Sequence, residues 1–354
     1  MEEGNCCVIH VTEKKGSTVC GPVSLFQQDQ RLRHFMTDQH ANAYFSKYIL
    51  SVEGASELEL FHNKYLQAAF PWLARIDVLT GMSDDIVQRI ISPRYRHFQS
   101  TIMSLIDMDK VFFMEPQANT PIFGKKYFQD APVSSEMFCY TQRRKELLYP
   151  KRRITAMREK CKFHFIYPFY ACADFNYHRF LSLIKSYLLQ YNIFVAQTTL
   201  EGLLINQANY EEFWAYYQQQ KAGSKELPAL QKYYHQFSPL NQLNFLRLLF
   251  NGKSDYILGL KAIKEKNKKI DSDLLALIER NTVSKTSGWI TNWLNCFFLS
   301  RLGMDAASTQ AYPRFYSAIS KDDVRSQIQE SFAAAFPELM HLIELIYSQI
   351  RFII

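Results

Sequence analysis

Six side chains in this sequence are of types that can carry chemistry, and they fall in two places. Cys20, in Gly16-Ser-Thr-Val-Cys-Gly-Pro-Val-Ser-Leu-Phe26, follows a β-branched segment and precedes an apolar one. A thiol at a strand-to-helix junction has its pKa lowered by the helix N-terminus, which favours the nucleophilic thiolate. Such a nucleophile needs a base and an orienting group. His164, in Cys161-Lys-Phe-His-Phe-Ile-Tyr, and Asp174 are the candidates, which makes Cys20, His164 and Asp174 the catalytic set of a thiol-dependent hydrolase or deamidase. The second place is the mouth of a predicted helix. Asp174 and Asn176 are good N-terminal caps, and Leu181, Ile184, Tyr187 and Leu188 line one helical face. Free backbone N–H groups at a helix start attract anions, and Arg179 in the first turn adds a bidentate phosphate donor. Asn176, His178 and Arg179 are therefore the candidate anion- or nucleotide-binding residues.

The stretch Tyr167-Pro168-Phe169, followed by Asp174, Asn176 and either His178 or Arg179, resembles the motif of Fic-type (Fido-fold) proteins. Ile154-Thr-Ala-Met-Arg158 resembles the helix that leads into that motif, and Phe180 to Asn192 the helix that leaves it. The resemblance covers 151–206 and implies nucleotidyl transfer at 167–179. Tyr167 stands where the family has its general-base histidine, so His164 or His178 would have to take that role. A phenol titrating near ~10 is a poor base at neutral pH. Cys20-Gly-Pro resembles the opening of some papain-like peptidase helices. The two resemblances compete for one segment, because 163–169 is a strand in the thiol reading and a loop in the Fic-type one. A third reading makes 167–180 a buried aromatic corner with a capped helix and no chemistry.

Other constellations carry less. Cys161, His164, Cys172 and His178 lack the paired spacing of a zinc site, so no metal is expected. Asp84/Asp85 and Glu211/Glu212 are adjacent in sequence and point to different helix faces. No phosphate-binding glycine loop, dinucleotide fingerprint, nucleophile elbow or His-Glu-x-x-His is present. These absences argue against P-loop ATPase, Rossmann, α/β-hydrolase and zincin activities, and no cofactor is expected.

The elements that must hold these residues are read as mostly helical. The chain has 354 residues, of which 47% are hydrophobic and only 12 are Gly and 12 Pro. That composition fits a helix-rich protein with few tight turns. The predicted class is mainly α, an irregular helical bundle with a small N-terminal β element. Cys7 to Thr12 reads as a strand and Lys14 to Ser17 as a turn. A helical pattern runs over 25–50, and Ser56 opens a second helix toward Leu73. A capped helix is read at 86–91. Residues 109–136 read as a loop with a short strand at Val111 to Met114, and helical pattern resumes from Ser135 to Lys162. Amphipathic helices are predicted at 227–237, 239–250, 254–266, 271–280, 284–302, 321–335 and 337–353. Ala222-Gly-Ser224 is the clearest break, which sets a boundary between a 1–222 domain holding the Fic-like segment and a 223–354 helical region.

Net charge is +7, with basic runs at 143–145, 151–153 and 264–269. These favour acidic partners, nucleotides or anionic surfaces. No nucleic-acid motif is present, so none is expected as a partner. Seven cysteines without regular spacing argue for a reducing compartment. The N-terminus lacks a secretory pattern and no window is long enough to span a membrane, so a cytoplasmic location is expected. Rich in Lys, Asn, Gln, Tyr and Phe and poor in Gly, the composition resembles in style the effectors that bacteria deliver into host cells by type IV secretion. That likeness implies a host-directed protein acting by binding a host or bacterial protein in the host cytoplasm.

Overall fold

The structure is a computed structural model that describes residues 9–14, 17–22, 46, 48–80, 101–107, 113–115, 120–122, 185, 186, 189, 192–237, 239–250, 272–306 and 308–351. Of the described residues 63% are helical, which makes the chain mainly α, as its composition predicts. The N-terminal β element is an antiparallel hairpin of β1 (Ile9–Lys14) and β2 (Ser17–Pro22), with Val11 opposite Cys20. A second small hairpin joins β6 (Phe113–Glu115) and β7 (Thr120–Ile122) inside the region read as a loop with one short strand.

The sequence does not announce the element that organises the molecule. It is a four-stranded, wholly parallel sheet of β3 (Tyr48–Val52), β4 (Asp77–Thr80), β5 (Thr101–Ile106) and β8 (Ile193–Val195), in the order β4-β3-β5-β8. The helix expected over 25–50 is thus a strand from Tyr48 onward. The reason is burial on both faces. Tyr48, Leu50 and Val52 enter the main apolar core, while Ile49 meets Leu79 of β4 on the opposite face. A strand covered on both sides reads as an unbroken apolar run, which periodicity cannot tell from a buried helical turn.

Two short helices, α1 (Ala55–Phe61) and α2 (Lys64–Ala69), and a 3-10 turn (Pro71–Arg75) carry the chain from β3 to β4. Asn63 starts α2: its Oδ1 accepts from the N–H groups of Tyr65 and Leu66 at 3.0 and 3.1 Å. After β8 come α3 (Leu200–Leu204), α4 (Tyr210–Gln220), α5 (Leu227–Gln236), α6 (Pro239–Leu249) and α7 (Ser272–Asn281). Then follow α8 (Trp289–Ser300), α9 (Ala311–Ala318), α10 (Asp322–Ala335) and α11 (Pro337–Ile350). The predicted helices at 227–237, 239–250, 271–280, 284–302, 321–335 and 337–353 match α5, α6, α7, α8, α10 and α11 within a few residues; those at 86–91, 135–162 and 254–266 lie outside the described residues.

Helix α8 packs deeply into this part of the core, with Ile290, Trp293, Leu294, Phe297 and Phe298 enclosed, while Asn292 and Ser300 on its other side are exposed. It ends where Gly303, at φ +62°, turns the chain back and the Met304 N–H reaches the Leu299 carbonyl at 2.9 Å. That six-to-one closure satisfies a carbonyl that the helix end leaves open. Phe297 and Phe298 pack on Phe332 and Phe336 of the α10–α11 corner. Residues on both sides of position 222, such as Leu203 and Phe213 before it and Phe250 and Leu342 after it, belong to one apolar core. No described helix is long and apolar enough to cross a membrane.

Candidate active site at the carboxyl edge of the parallel sheet

The strand order locates a switch point. From β3 the chain passes to β4 on one side, then returns to β5 on the other side of β3. The strand order reverses between β3 and β5, so the carboxyl ends of these two strands form a topological switch point. Open parallel sheets bind their ligands at such switch points. The residues that the sequence puts there are acidic. Glu53 directly follows Val52, the last residue of β3, and Asp107 directly follows Ile106, the last of β5. Both are partly exposed. The Asp107 backbone N–H points to Glu53 Oε1 at 3.5 Å, the long limit of a hydrogen bond, so the two carboxyl-bearing turns lie side by side.

Two more carboxylates close in from helices. Glu57, in the first turn of α1, accepts the Gly54 N–H at 3.1 Å and is buried. Burial pushes its carboxyl above the usual range, and the charges of Glu53 and Glu201 push the same way, against the opposing pull of backbone N–H groups. Glu201 follows β8 in α3 and is only 2% exposed. It accepts from the Thr199 hydroxyl at 2.6 Å and pairs with Lys285 Nζ at 3.2 Å. α3 also ties itself to the neighbouring strand, because its first N–H, from Leu200, donates to Asp107 Oδ1 at 3.1 Å.

Lys285 comes from the exposed connection between α7 and α8. That connection is held at both ends. The Val283 N–H donates to the Leu249 carbonyl at 2.7 Å, and the Thr291 N–H, in the first turn of α8, donates to Glu59 Oε1 at 2.7 Å. Desolvation works to lower the Lys285 ammonium, but Glu201, then Asp107 and Glu57, outweigh it and hold its pKa above the ordinary value. Lys285 is thus charged and more than half exposed, under the influence of the Glu201, Asp107 and Glu57 carboxyl groups. Among the described residues no three Asp, Glu, His or Cys side chains converge closely enough to ligate one ion as they stand.

Of the residues that the sequence singled out, Cys20 lies on β2 opposite Val11, in the N-terminal hairpin. His164, Asp174, Asn176, His178 and Arg179 lie outside the described residues, as does the rest of the Fic-like motif. Sequence reasoning missed Glu53, Glu57, Asp107, Glu201 and Lys285. One signal was available: an acidic residue directly after a short apolar run, in Ile49-Leu-Ser-Val-Glu53-Gly and again in Ile102-Met-Ser-Leu-Ile-Asp107. Asp109 stands two positions beyond Asp107 in the sequence, outside the described residues.

No protein-family model matches the chain. Among solved structures it is similar to the C-terminal region of the Xanthomonas campestris pv. campestris OLD protein. The identity is 16%, the alignment covers 80% of this chain and 97% of that one, and the TM-score is 0.27. At that overlap the likeness assigns neither fold nor activity.

Proposed function

We propose that the chain is a divalent-cation-dependent hydrolase that cleaves phosphodiester bonds of nucleic acid at the carboxyl edge of its parallel sheet. The observation that carries this reading is the adjacency of the Glu53 and Asp107 turns at the β3–β5 switch point, where the Asp107 N–H meets Glu53 Oε1, with Glu57, Glu201 and Lys285 nearby. The carboxyl groups of Glu201, Asp107 and Glu57 act on the Lys285 ammonium, and Glu53 adds its charge to Glu57. Like charges brought out of water repel, and a cation relieves that repulsion. An all-oxygen donor set selects a hard ion such as Mg2+ or Mn2+ rather than zinc or copper. Mg2+ keeps most of its waters and binds through one or two carboxylates plus substrate phosphate, so a site without three converging side chains suits it.

Glu53 and Asp107 would hold the cation. A bound cation of this kind polarises a phosphoryl oxygen and acidifies a water. Lys285, charged and accessible, meets the phosphate and stabilises the negative charge that develops as water adds to phosphorus and the P–O ester bond breaks. Glu201 orients Lys285, and Thr199 orients Glu201. Glu57, whose pKa burial raises, fixes the turn at Gly54. The sequence holds no phosphate-binding glycine loop for a free nucleotide, and its net charge of +7 favours a polyanion. Nucleic acid was not expected from sequence motifs. Contacts to a phosphate backbone need no such motif, because they carry no base readout.

Incubating purified protein with supercoiled and single-stranded circular DNA, with Mg2+ or Mn2+, tests the proposal. Expected are nicked or linear products, lost with EDTA and in Asp107→Asn and Glu53→Gln. Phosphate release from ATP with intact DNA would move the substrate class to nucleotides. Equal activity in wild type and both variants would remove the site. Host-directed protein binding, thiol-dependent hydrolysis with Cys20, and Fic-type transfer at 167–179 remain expectations of the sequence alone.

A further inference from the structure

The C-terminal helix α11 touches β8 at three places in reverse order. Gln349 Nε2 donates to Asn192 Oδ1 at 3.2 Å, just before the strand. The His341 ring lies 5.9 Å from that of Phe194 in its middle. Glu338, in the first turn of α11, accepts the Gln197 N–H at 2.8 Å, two residues past the strand. The spans agree. Eleven helical residues rise about 16 Å, and five extended residues cover about 16 Å. The helix is therefore an antiparallel splint whose length matches the segment it grips. It also fixes that segment against the centre of the sheet, because the Tyr48 hydroxyl, at the start of β3, donates to Gln349 Oε1 at 3.0 Å.

The end that matters is Glu338. The chain beyond Gln197 is short: three residues later Leu200 gives its N–H to Asp107, and one further stands Glu201 with Lys285. The same Glu338 oxygen is paired with Lys185. We infer that Glu338 is a positioning residue. By holding the Gln197 N–H it sets the 197–200 segment, and through it the Leu200 N–H that orients the Asp107 carboxylate. This rests on the reading of Asp107 as a cation-holding residue, but Glu338 itself touches neither cation nor substrate.

The test separates the two claims. Amide hydrogen exchange and Mn2+ affinity are measured on wild type, Glu338→Ala, Glu338→Gln and Lys185→Met. A glutamine keeps an acceptor for the Gln197 N–H; an alanine does not. Expected in Glu338→Ala is exchange roughly tenfold or more faster at Gln197 and Leu200, with β8 itself still protected, and Mn2+ affinity lowered by about tenfold. Glu338→Gln and Lys185→Met stay close to wild type. Unchanged exchange at Leu200 in Glu338→Ala overturns the inference, and so does a Lys185→Met variant that reproduces the whole effect. Wild-type protein that binds no Mn2+ overturns the reading of the site, while the exchange data still decide the role of Glu338.

Discussion

At the scale of single residues the molecule holds an arrangement that costs it stability. Glu57 is buried next to Glu53 and near Glu201, and burial, then like charge, raises its pKa. A carboxyl whose folded pKa lies above its unfolded one favours the native state when protonated. Its contribution is fully present below the unfolded carboxylate range and is lost as pH rises through the folded value. Replacing Glu57 by Gln, which keeps an acceptor for the Gly54 N–H, should therefore raise the denaturation midpoint at pH 7 in EDTA. At pH 4 it should leave the midpoint nearly unchanged. A variant destabilised at neutral pH would show that the ionised carboxylate is compensated within the protein. Wild type should gain stability from Mg2+ at pH 7, because a ligand that binds only the native state stabilises it. A raised carboxyl pKa beside a like charge is a feature that functional sites share, and it accords with the proposed cation site.

At the scale of elements, the turn from β8 into α3 is the tightest part of the site. A Cβ on Gly202 would lie 1.8 Å from the Thr198 hydroxyl oxygen and 3.2 Å from its Cβ. Thr198 is buried and β-branched, so it has little room to rotate away. Gly202→Ala should cost roughly 1–3 kcal/mol in urea unfolding, the range for overpacking. Adding Thr198→Ala should return part of it. A neutral Gly202→Ala would mean that α3 can shift, and with it Glu201. The elements also show what the sequence can disclose. α5, α6, α10 and α11 were legible because each is amphipathic and bounded by polar or proline-bearing joints, as at Pro239 and Pro337. β3, β4, β5 and β8 were not, because strands of three to six residues are too short to show a period of their own. The site shared their fate. Glu53, Asp107, Glu201 and Lys285 are spread along the chain and become neighbours only through the strand order β4-β3-β5-β8. The cysteine and histidine motifs stood out because they are local, and local motifs are what a single sequence displays.

At the scale of the whole molecule, the helices act as a frame for one sheet edge. α8 is locked to the first crossover twice, by Asn63 Nδ2 to Asn295 Oδ1 at 3.0 Å and by the Thr291 N–H to Glu59. Those bonds set the start of α8 and so the connection that presents Lys285. α11 braces β8 from the other side, and the aromatic cluster of Phe297, Phe298, Phe332 and Phe336 joins the two helices. The described helices thus help set residues from four separate segments near one sheet edge, where the proposed site lies. The central claim is that this edge holds a hard divalent cation between Glu53 and Asp107. Titrating Mn2+ into the metal-free protein and following the free ion by electron paramagnetic resonance tests it most directly. Saturable binding, displaced by Mg2+ and weakened by roughly tenfold or more in Asp107→Asn and Glu53→Gln, is the predicted result. No saturable binding to wild type, or the same affinity in both variants, would contradict it.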